Sequence, residues 1–489
     1  MSVLMDKGAT MIDERTMDRW IDEHFNAYIG LLADYVAIPS IAKPGEDGFP
    51  YGKACADMLA FMERTMQRFG LKTDNVDTTV VIGTLEGSDT GLEGCRAIGI
   101  ACHGDVVPAT GAWERDPFTL WRNGDWLTGR GTTDNKGATI AVLFALAFLQ
   151  DQGIRLRNDV KLYVGSAEEI GMPDMMYVRE HRPLADFTLV PDAGFPVCYG
   201  EKGCIKFTAS ALTGDTNLTT FNSGTSEASV AASAVATISD IPDPMAVAVF
   251  LNEFPGIEAS VLEIRNEVIV ISSGRARHTA FPEGGIDAIG QLARALCSQS
   301  LMTGRAESLL RFIGEITSDF YGTGLDIETS DARSGKLTAV LTAIDLNDGK
   351  LTMRFNIRYP ISADEKHIER TIRKRMETGG FSIEEFTLSP ASVTEITPLI
   401  NRLCDIANKI HGTDDPPYIM GGGTYARLMQ PAIAYGMGTP SIDLAPPFPS
   451  GQGRAHQPNE SVYIPRMKKG MKIYAQALLA IDHALSTGR

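Results

Sequence analysis

Cysteine is scarce and carries no pairing pattern. Seven residues, Cys55, Cys95, Cys102, Cys198, Cys204, Cys297 and Cys404, are scattered without a Cys-x-x-Cys spacing. An odd, unpatterned set of this kind indicates neither a disulfide framework nor a thiolate metal site, and the residues read as reduced, mostly buried small hydrophobes. Long apolar runs are missing as well. The longest, Ile140 to Leu149, directly follows Lys136-Gly137-Ala138 and has about half the length that a bilayer span requires, so it reads as a helix buried against a sheet. The amino-terminal stretch carries Asp6, Lys7, Asp13, Glu14 and Arg15 without an apolar core, so no secretory signal is expected and the default location is cytoplasmic. A basic excess is also lacking: 45 Lys and Arg face 61 Asp and Glu, for a net charge of −16, and the basic residues are dispersed. That balance argues against a nucleic-acid or anionic-membrane partner and favours solubility.

What the chain does have is length, with 489 residues of which 44% are hydrophobic and 22% charged, enough for two or three cores. Within it lie short acidic segments, each placed after a strand-like run. Ala97 to Cys102 precedes His103-Gly104-Asp105, Val160 to Val164 precedes Glu168-Glu169, and Phe187 to Val190 precedes Asp192. Each run is short, apolar and partly β-branched. Asp134 follows Gly129-Arg130-Gly131-Thr132-Thr133, and a distant His456 completes the set. In open α/β sheets the carboxyl ends of strands are where ligands and catalytic groups gather, because loops leave room above them. A single loop carboxylate is ordinarily just solvated. Five nitrogen and oxygen donors in these contexts suit two divalent metal ions.

The order and spacing of His103-Gly104-Asp105-Val106-Val107-Pro108, Gly129 to Gly137, Ala167-Glu168-Glu169-Ile170-Gly171, Pro191-Asp192-Ala193 and Ala455-His456-Gln457-Pro458-Asn459-Glu460 resemble the co-catalytic metallopeptidase family of aminoacylases, desuccinylases, glutamate carboxypeptidases, carnosinases and bacterial dipeptidases. The Gly421-Gly422-Gly423-Thr424-Tyr425-Ala426-Arg427 loop and a long central insert look most like the bacterial dipeptidases of broad or Xaa-His specificity. The resemblance implies that His103 and Asp192 hold one metal, that Glu169 and His456 hold the other, and that Asp134 bridges both. It implies further that Asp105 accepts the spare imidazole proton of His103 and that Glu168 is the general base. Chemistry supports that division, since a carboxylate already bound to a metal is a poor proton acceptor and the base must be a separate group nearby. Asn135 stands where close relatives commonly carry an acid.

The gap between the ligand segments before residue 200 and the one at 456 implies a catalytic domain interrupted by an inserted one. The expected boundaries are 1–199 and 389–489 for a discontinuous catalytic domain and 200–388 for a lid domain of two α/β units. One unit holds strand-like Val268 to Ser272 and helical Ala288 to Cys297, the other strand-like Leu351 to Tyr359 and helical Asp364 to Met376. Within the insert, His278 resembles the family's lid histidine that stabilises the oxyanion. Glycines such as Gly422 and Gly423 allow close backbone approach, and Arg427 offers a bidentate clamp for a carboxylate. By resemblance Arg427 binds the carboxyl terminus of a dipeptide, helped by Asn217. The remaining histidines, His24, His181, His367, His411 and His483, lie in helical or surface contexts.

The reading is an α/β protein with a mixed-sheet catalytic domain, helices on both faces, and an inserted α/β lid. Its expected activity is a two-metal dipeptidase, hydrolysing dipeptides with a free C-terminal carboxylate through a metal-bridging water and a glutamate base. Zinc is the first expectation, and donors without thiolate also accept manganese or cobalt. The expected partner is a small peptide substrate, and the chain is a monomer or homodimer. A deacylase of N-acyl or N-succinyl amino acids is the alternative, and a non-catalytic binding protein on the same fold the remote one.

Overall fold

A computed structural model describes residues 12–224, 228–298, 301–438, 444–449 and 451–487. The chain forms two compact units. Unit 1 takes the chain up to Gly200, then Val393–Tyr418, and then everything from Gly423 onward; unit 2 takes Glu201–Ser392 and Ile419–Gly422.

Unit 1 is built on a mixed sheet whose strand chemistry follows depth. Strands β1 (Lys72–Val76), β2 (Val80–Leu85), β3 (Ala97–His103), β4 (Asp159–Gly165) and β5 (Phe187–Val190) run in the spatial order β1-β2-β4-β3-β5, continuing into Ala432–Ala434. The edge strand β1 is largely exposed, whereas β3 and β5 are buried along almost their whole length. Strands covered on both faces are apolar throughout rather than alternating. The pairs β3–β4, β3–β5 and β5 with Ala432–Ala434 are parallel, while β1–β2 and β2–β4 are antiparallel. In the parallel register His103 sits opposite Gly165 and Ile100 opposite Leu189. The carboxyl ends of three strands therefore finish along one edge, and the chain leaves each of them directly into an acidic segment.

Helices cover both faces of this sheet. Helix α1 (Glu14–Val36) starts where Asp13 accepts the Thr16 amide at 3.1 Å and buries Met17, Trp20, Ile21, Phe25, Tyr28, Leu32 and Tyr35, the 3–4 spacing of an amphipathic stripe. Helix α2 (Lys53–Arg68) packs on β1 and β2. Helix α3 (Lys136–Asp151) is buried almost all round, because α1, β3 and the helix Ile464–Thr487 surround it; this is the apolar run Ile140 to Leu149. Its only cation, Lys136, is fully buried and donates to the carbonyls of Tyr35 and Ile38 at 3.0 and 2.7 Å, which caps the end of α1. Helix α4 (Pro173–His181) follows β4.

Unit 2 holds the segment expected as two α/β units. Among the described residues eight of its strands form one antiparallel sheet, in the order Ile257–Leu262, Glu267–Ser273, Ser233–Ile238, Leu218–Ser223, Thr338–Asn347, Lys350–Tyr359, Gly203–Leu212, Ser382–Ser389, while Ser330–Asp331 and Gly335–Lys336 pair apart from it. Two four-stranded halves meet edge to edge where Asn222 pairs with Asp345 and Ser223 with Ile344. The reason is hydrophobic: a single cluster of buried side chains runs from Ala234, Val270 and Ile289 in one half to Phe207, Phe355 and Ile372 in the other, and each large apolar side chain so enclosed is worth roughly 1.5–3 kcal/mol. Three of its helices are capped by carboxylates, Asp243, Asp287 and Asp364. Asp287 accepts the amides of Ile289 and Gly290, and Asp364 those of Lys366 and His367, all at 3.0 Å, as N-caps do.

His411 ends the helix Pro398–His411 with its ring against Phe195, the centroids 5.4 Å apart. Burial, reinforced by the charges of Lys469 and Arg466, pushes its pKa down to about 4. An unfolded histidine titrates near 6.5, so between those values the unfolded chain binds the extra proton; the contribution is fully present above about pH 6.5 and lost as pH falls toward 4. Urea unfolding at pH 7 and pH 5 is expected to show the parent losing about 1–2 kcal/mol more than His411→Gln. Identical losses in the two proteins would exclude His411 from the acid response.

Candidate active site

The parallel strand ends set the stage. His103 is the last residue of β3, Glu168 and Glu169 follow β4, and Asp192 follows β5. Asp134 arrives just ahead of α3, and His456 comes from the loop before the last strand and helix. All of these belong to unit 1. Asp134 stands between two histidines: its Oδ1 is 2.9 Å from His103 Nε2, and its Oδ2 is 3.0 Å from His456 Nε2. Asp192 Oδ2 lies 3.8 Å from His103 Nε2, and Glu169 Oε2 lies 3.2 Å from His456 Nε2.

Two groups of three donors result, His103–Asp134–Asp192 and Asp134–Glu169–His456, each with its ligand atoms within 4.8 Å of one another. The donor chemistry fits divalent ions, imidazole nitrogen with carboxylate oxygen and no thiolate. A further observation fits the same reading: Glu169 Oε1 is buried and has no hydrogen-bond partner among the described residues, and a buried carboxylate oxygen calls for a cation or a donor.

The charges explain the electrostatics. Burial alone would push the imidazole of His103 down, but the carboxylates of Asp105, Asp134 and Asp192 outweigh it and hold it well above the usual histidine range. Burial raises Glu169 to about 7 and Asp192 to about 6, in both cases with Asp134 adding repulsion. For Asp134 burial is overcome by the two histidines, which hold it low.

Asp105 does more than the sequence reading assigned to it. The Nδ1 of His103 lies 3.0 Å from the Asp105 carbonyl and 3.4 Å from its Oδ1, so that nitrogen carries the proton and Nε2 is directed at Asp134 and Asp192. The carboxylate itself accepts the backbone amides of Glu168 at 3.1 Å and Glu169 at 3.0 Å. One buried residue thus orients a histidine and pins the two glutamates. Gly104 between them has to be glycine: an added Cβ would come within 2.2 Å of Tyr35 Oη and 2.3 Å of Met58 Sδ.

Glu460, four residues after His456, is the corresponding anchor for Asp134. It is buried, its Oε1 accepts the amides of Thr133 and Asp134 at 2.8 and 3.0 Å, and its Oε2 accepts from Arg130 Nη1 at 2.7 Å. Asn135 donates to the Pro191 carbonyl and to Asp192 Oδ1, at 2.6 and 3.1 Å, so an amide at this position orients Asp192.

The residues expected to meet the substrate are distributed over both units. Arg427, in unit 1, is partly buried in the turn Tyr425–Arg427. Its guanidinium lies against the backbone of Gly423, where a Cβ would come within 2.6 Å of Nη2. Gly422 has no comparable neighbour, the nearest atoms to an added Cβ being those of Met420 at 3.7 Å. His278 is exposed in unit 2, and its Nδ1 accepts the Ala280 amide at 3.2 Å. Asn217 is the other residue expected at the substrate. It is buried in unit 2, where Oδ1 accepts from the Thr303 amide at 2.9 Å and Nδ2 donates to the Leu301 carbonyl at 2.8 Å. The amide group thereby clasps the 301–303 segment.

The model of peptidase family M20/M25/M40 matches residues 99–480, a span that includes every donor of the two groups. The chain belongs to peptidase family M20/M25/M40. It is 29% identical over 447 residues to the putative dipeptidase YtjP of Bacillus subtilis (strain 168), covering 88% of this chain and 91% of that one. It is 28% identical over 461 residues to the Beta-Ala-Xaa dipeptidase of Lactobacillus delbrueckii subsp. lactis, covering 91% and 94%. Its fold is similar to that of human carnosine dipeptidase 1, with a TM-score of 0.59 at 17% identity over 97% of this chain and 100% of that one.

In this M20 peptidase the sequence reading left several supporting residues without a role: Glu460, Arg130, Asp174 and Tyr425. All four are buried side chains. Their one visible signal was a charged or hydroxyl-bearing residue inside or beside a segment that also carries a ligand. Purified protein is expected to take up about two divalent ions per chain, reversibly removed by a chelator. Elemental analysis should find neither ion retained in Asp134→Ala, and a variant that still holds one would break the bridging assignment.

Proposed function

We propose that this chain is a metal-dependent dipeptidase acting on dipeptides with a free C-terminal carboxylate. The observation that carries the reading is Glu168. It is buried beside the two donor groups and belongs to neither. Burial, together with the negative charges of Asp192, Glu169 and Asp134, pushes its pKa well above the usual carboxylate range. A carboxylate kept apart from the ligands and poised to hold a proton has the properties of a general base.

In this proposal His103 and Asp192 would hold one ion, Glu169 and His456 the other, and Asp134 would serve both; zinc is the ion proposed. Bound divalent ions supply Lewis acidity toward the scissile carbonyl and make a water acidic enough to attack at neutral pH. Glu168 takes the proton from the attacking water and delivers it to the leaving amine. Asp105 keeps Glu168 in register through its backbone amide. His278 is the proposed donor to the carbonyl oxygen as charge develops there: because its Nδ1 accepts the Ala280 amide, its proton resides on Nε2. Arg427 binds the substrate carboxylate as a charge-assisted pair. The names of the relatives, a putative dipeptidase and a Beta-Ala-Xaa dipeptidase, support the substrate class.

Two measurements test this. Glu168→Gln is expected to keep its metal and lose turnover by about 100-fold or more, the usual size of general-base assistance, and parental activity in that variant would refute the base assignment. Dipeptides should also be cleaved better than their C-terminal amides by roughly 2–3 kcal/mol in transition-state binding, with Arg427→Ala removing most of that preference. Faster release of acetate from an N-acetylated amino acid than cleavage of any dipeptide would assign the chain to the deacylases instead.

A further inference from the structure

The segment that carries Glu168 is held by two buried carboxylates acting in sequence. Asp174 Oδ2 accepts the amides of Ser166 and Ala167 at 2.7 and 2.8 Å, and Asp105 accepts those of Glu168 and Glu169. Four consecutive backbone N–H groups are thereby fixed, two to each carboxylate. Asp105 is tied to the histidine side of the site. Asp174 is tied elsewhere: its Oδ2 also accepts from Tyr425 Oη at 2.5 Å. Tyr425 is itself buried and opens the turn that ends in Arg427. Its ring stands edge-on to His103, the centroids 6.4 Å apart.

The strand end is shaped around this bond. At Gly165, the last residue of β4, an added Cβ would lie 1.9 Å from Tyr425 Oη and 2.4 Å from Asp174 Oδ2. The turn is stiffened in its own right, since Thr424 Oγ1 accepts the Ala426 amide at 3.1 Å. A single tyrosine hydroxyl thus joins the turn bearing Arg427 to the segment bearing Glu168.

We propose that Tyr425 and Asp174 are positioning residues that make the placement of Glu168 depend on the carboxylate-binding turn. The inference rests on the dipeptidase reading, in which Arg427 holds the substrate carboxylate. Binding energy gained remote from the scissile bond then raises turnover, because the anchored end of the substrate and the base are held in one frame.

The test uses full-length, zinc-loaded protein and Tyr425→Phe, which keeps the ring and removes only the hydroxyl. Steady-state kinetics are measured on a dipeptide and its C-terminal amide, alongside metal content, melting temperature and amide hydrogen exchange of residues 166–169. On the dipeptide kcat is expected to fall about 10-fold with KM changed less than about twofold, and on the amide kcat should fall less than about threefold. Exchange of the 166–169 amides should quicken about 10-fold, with metal content and melting temperature close to those of the parent. Equal losses on both substrates, or unchanged exchange, would overturn the linkage. Asp174→Ala, which removes the acceptor of the Tyr425 hydroxyl together with that of the Ser166 and Ala167 amides, is the second variant should Tyr425→Phe fold poorly, and it should lose at least as much kcat on the dipeptide and exchange its 166–169 amides at least as fast. If the parent cleaves no dipeptide, the dipeptidase reading fails while the exchange measurement still decides whether the hydroxyl holds the segment.

Discussion

Asp134 presents one carboxylate oxygen to His103 and the other to His456, and much of unit 1 is organised so that it can. A carboxylate between two imidazoles in a largely buried setting is stable only if its backbone cannot drift, because misplacing it leaves charges without partners in a medium that screens them poorly. Glu460 meets that need from one side, by holding the Thr133 and Asp134 amides, and is itself neutralised by Arg130. Helix α3 meets it from the other. Since that helix is buried on nearly every face, its first turn has no freedom to shift, and the residue just ahead of it inherits that rigidity.

The two adjacent glutamates show how backbone geometry separates chemical roles. Both have their amides bound by Asp105, so the peptide units are fixed before the side chains diverge. Glu169 joins Asp134 and His456, and Glu168 does not. In the proposed assignment one carboxylate is a ligand while its neighbour exchanges a proton. Parallel strands make this economical, because β3, β4 and β5 end in register and each hands the chain to the same edge.

The elements of unit 1 were legible because their chemistry is local. Phe187–Val190 is a strand over the very residues that its apolar run marks, and Ile140 to Leu149 lies in a helix buried almost all round. The family and the mixed α/β architecture were legible from the same short motifs. What stayed hidden depends on partners distant in sequence. The union of unit 2 into one sheet rests on Asn222 and Ser223 meeting Asp345 and Ile344, a pairing that no local pattern encodes. The bonds of Asn217 to Leu301 and Thr303 join positions more than eighty residues apart. Glu460 and Asp174 went unassigned because a buried carboxylate that binds backbone amides looks, in sequence, like any surface acid.

The distance along the chain between Asp134 and His456 has a thermodynamic side. The whole of the 201–392 segment of unit 2 lies between them, so an ion shared by the two residues closes a very large loop. Closure entropy grows slowly with loop length, about 0.6 kcal/mol for each doubling, and because coordination is lost on unfolding, unlike a disulfide, the ion stabilises by binding the folded chain. In a protein whose seven cysteines are all free, coordination is then the available cross-link. Resistance to unfolding becomes a property of the surroundings as well as of the sequence, rising and falling with the supply of the metal.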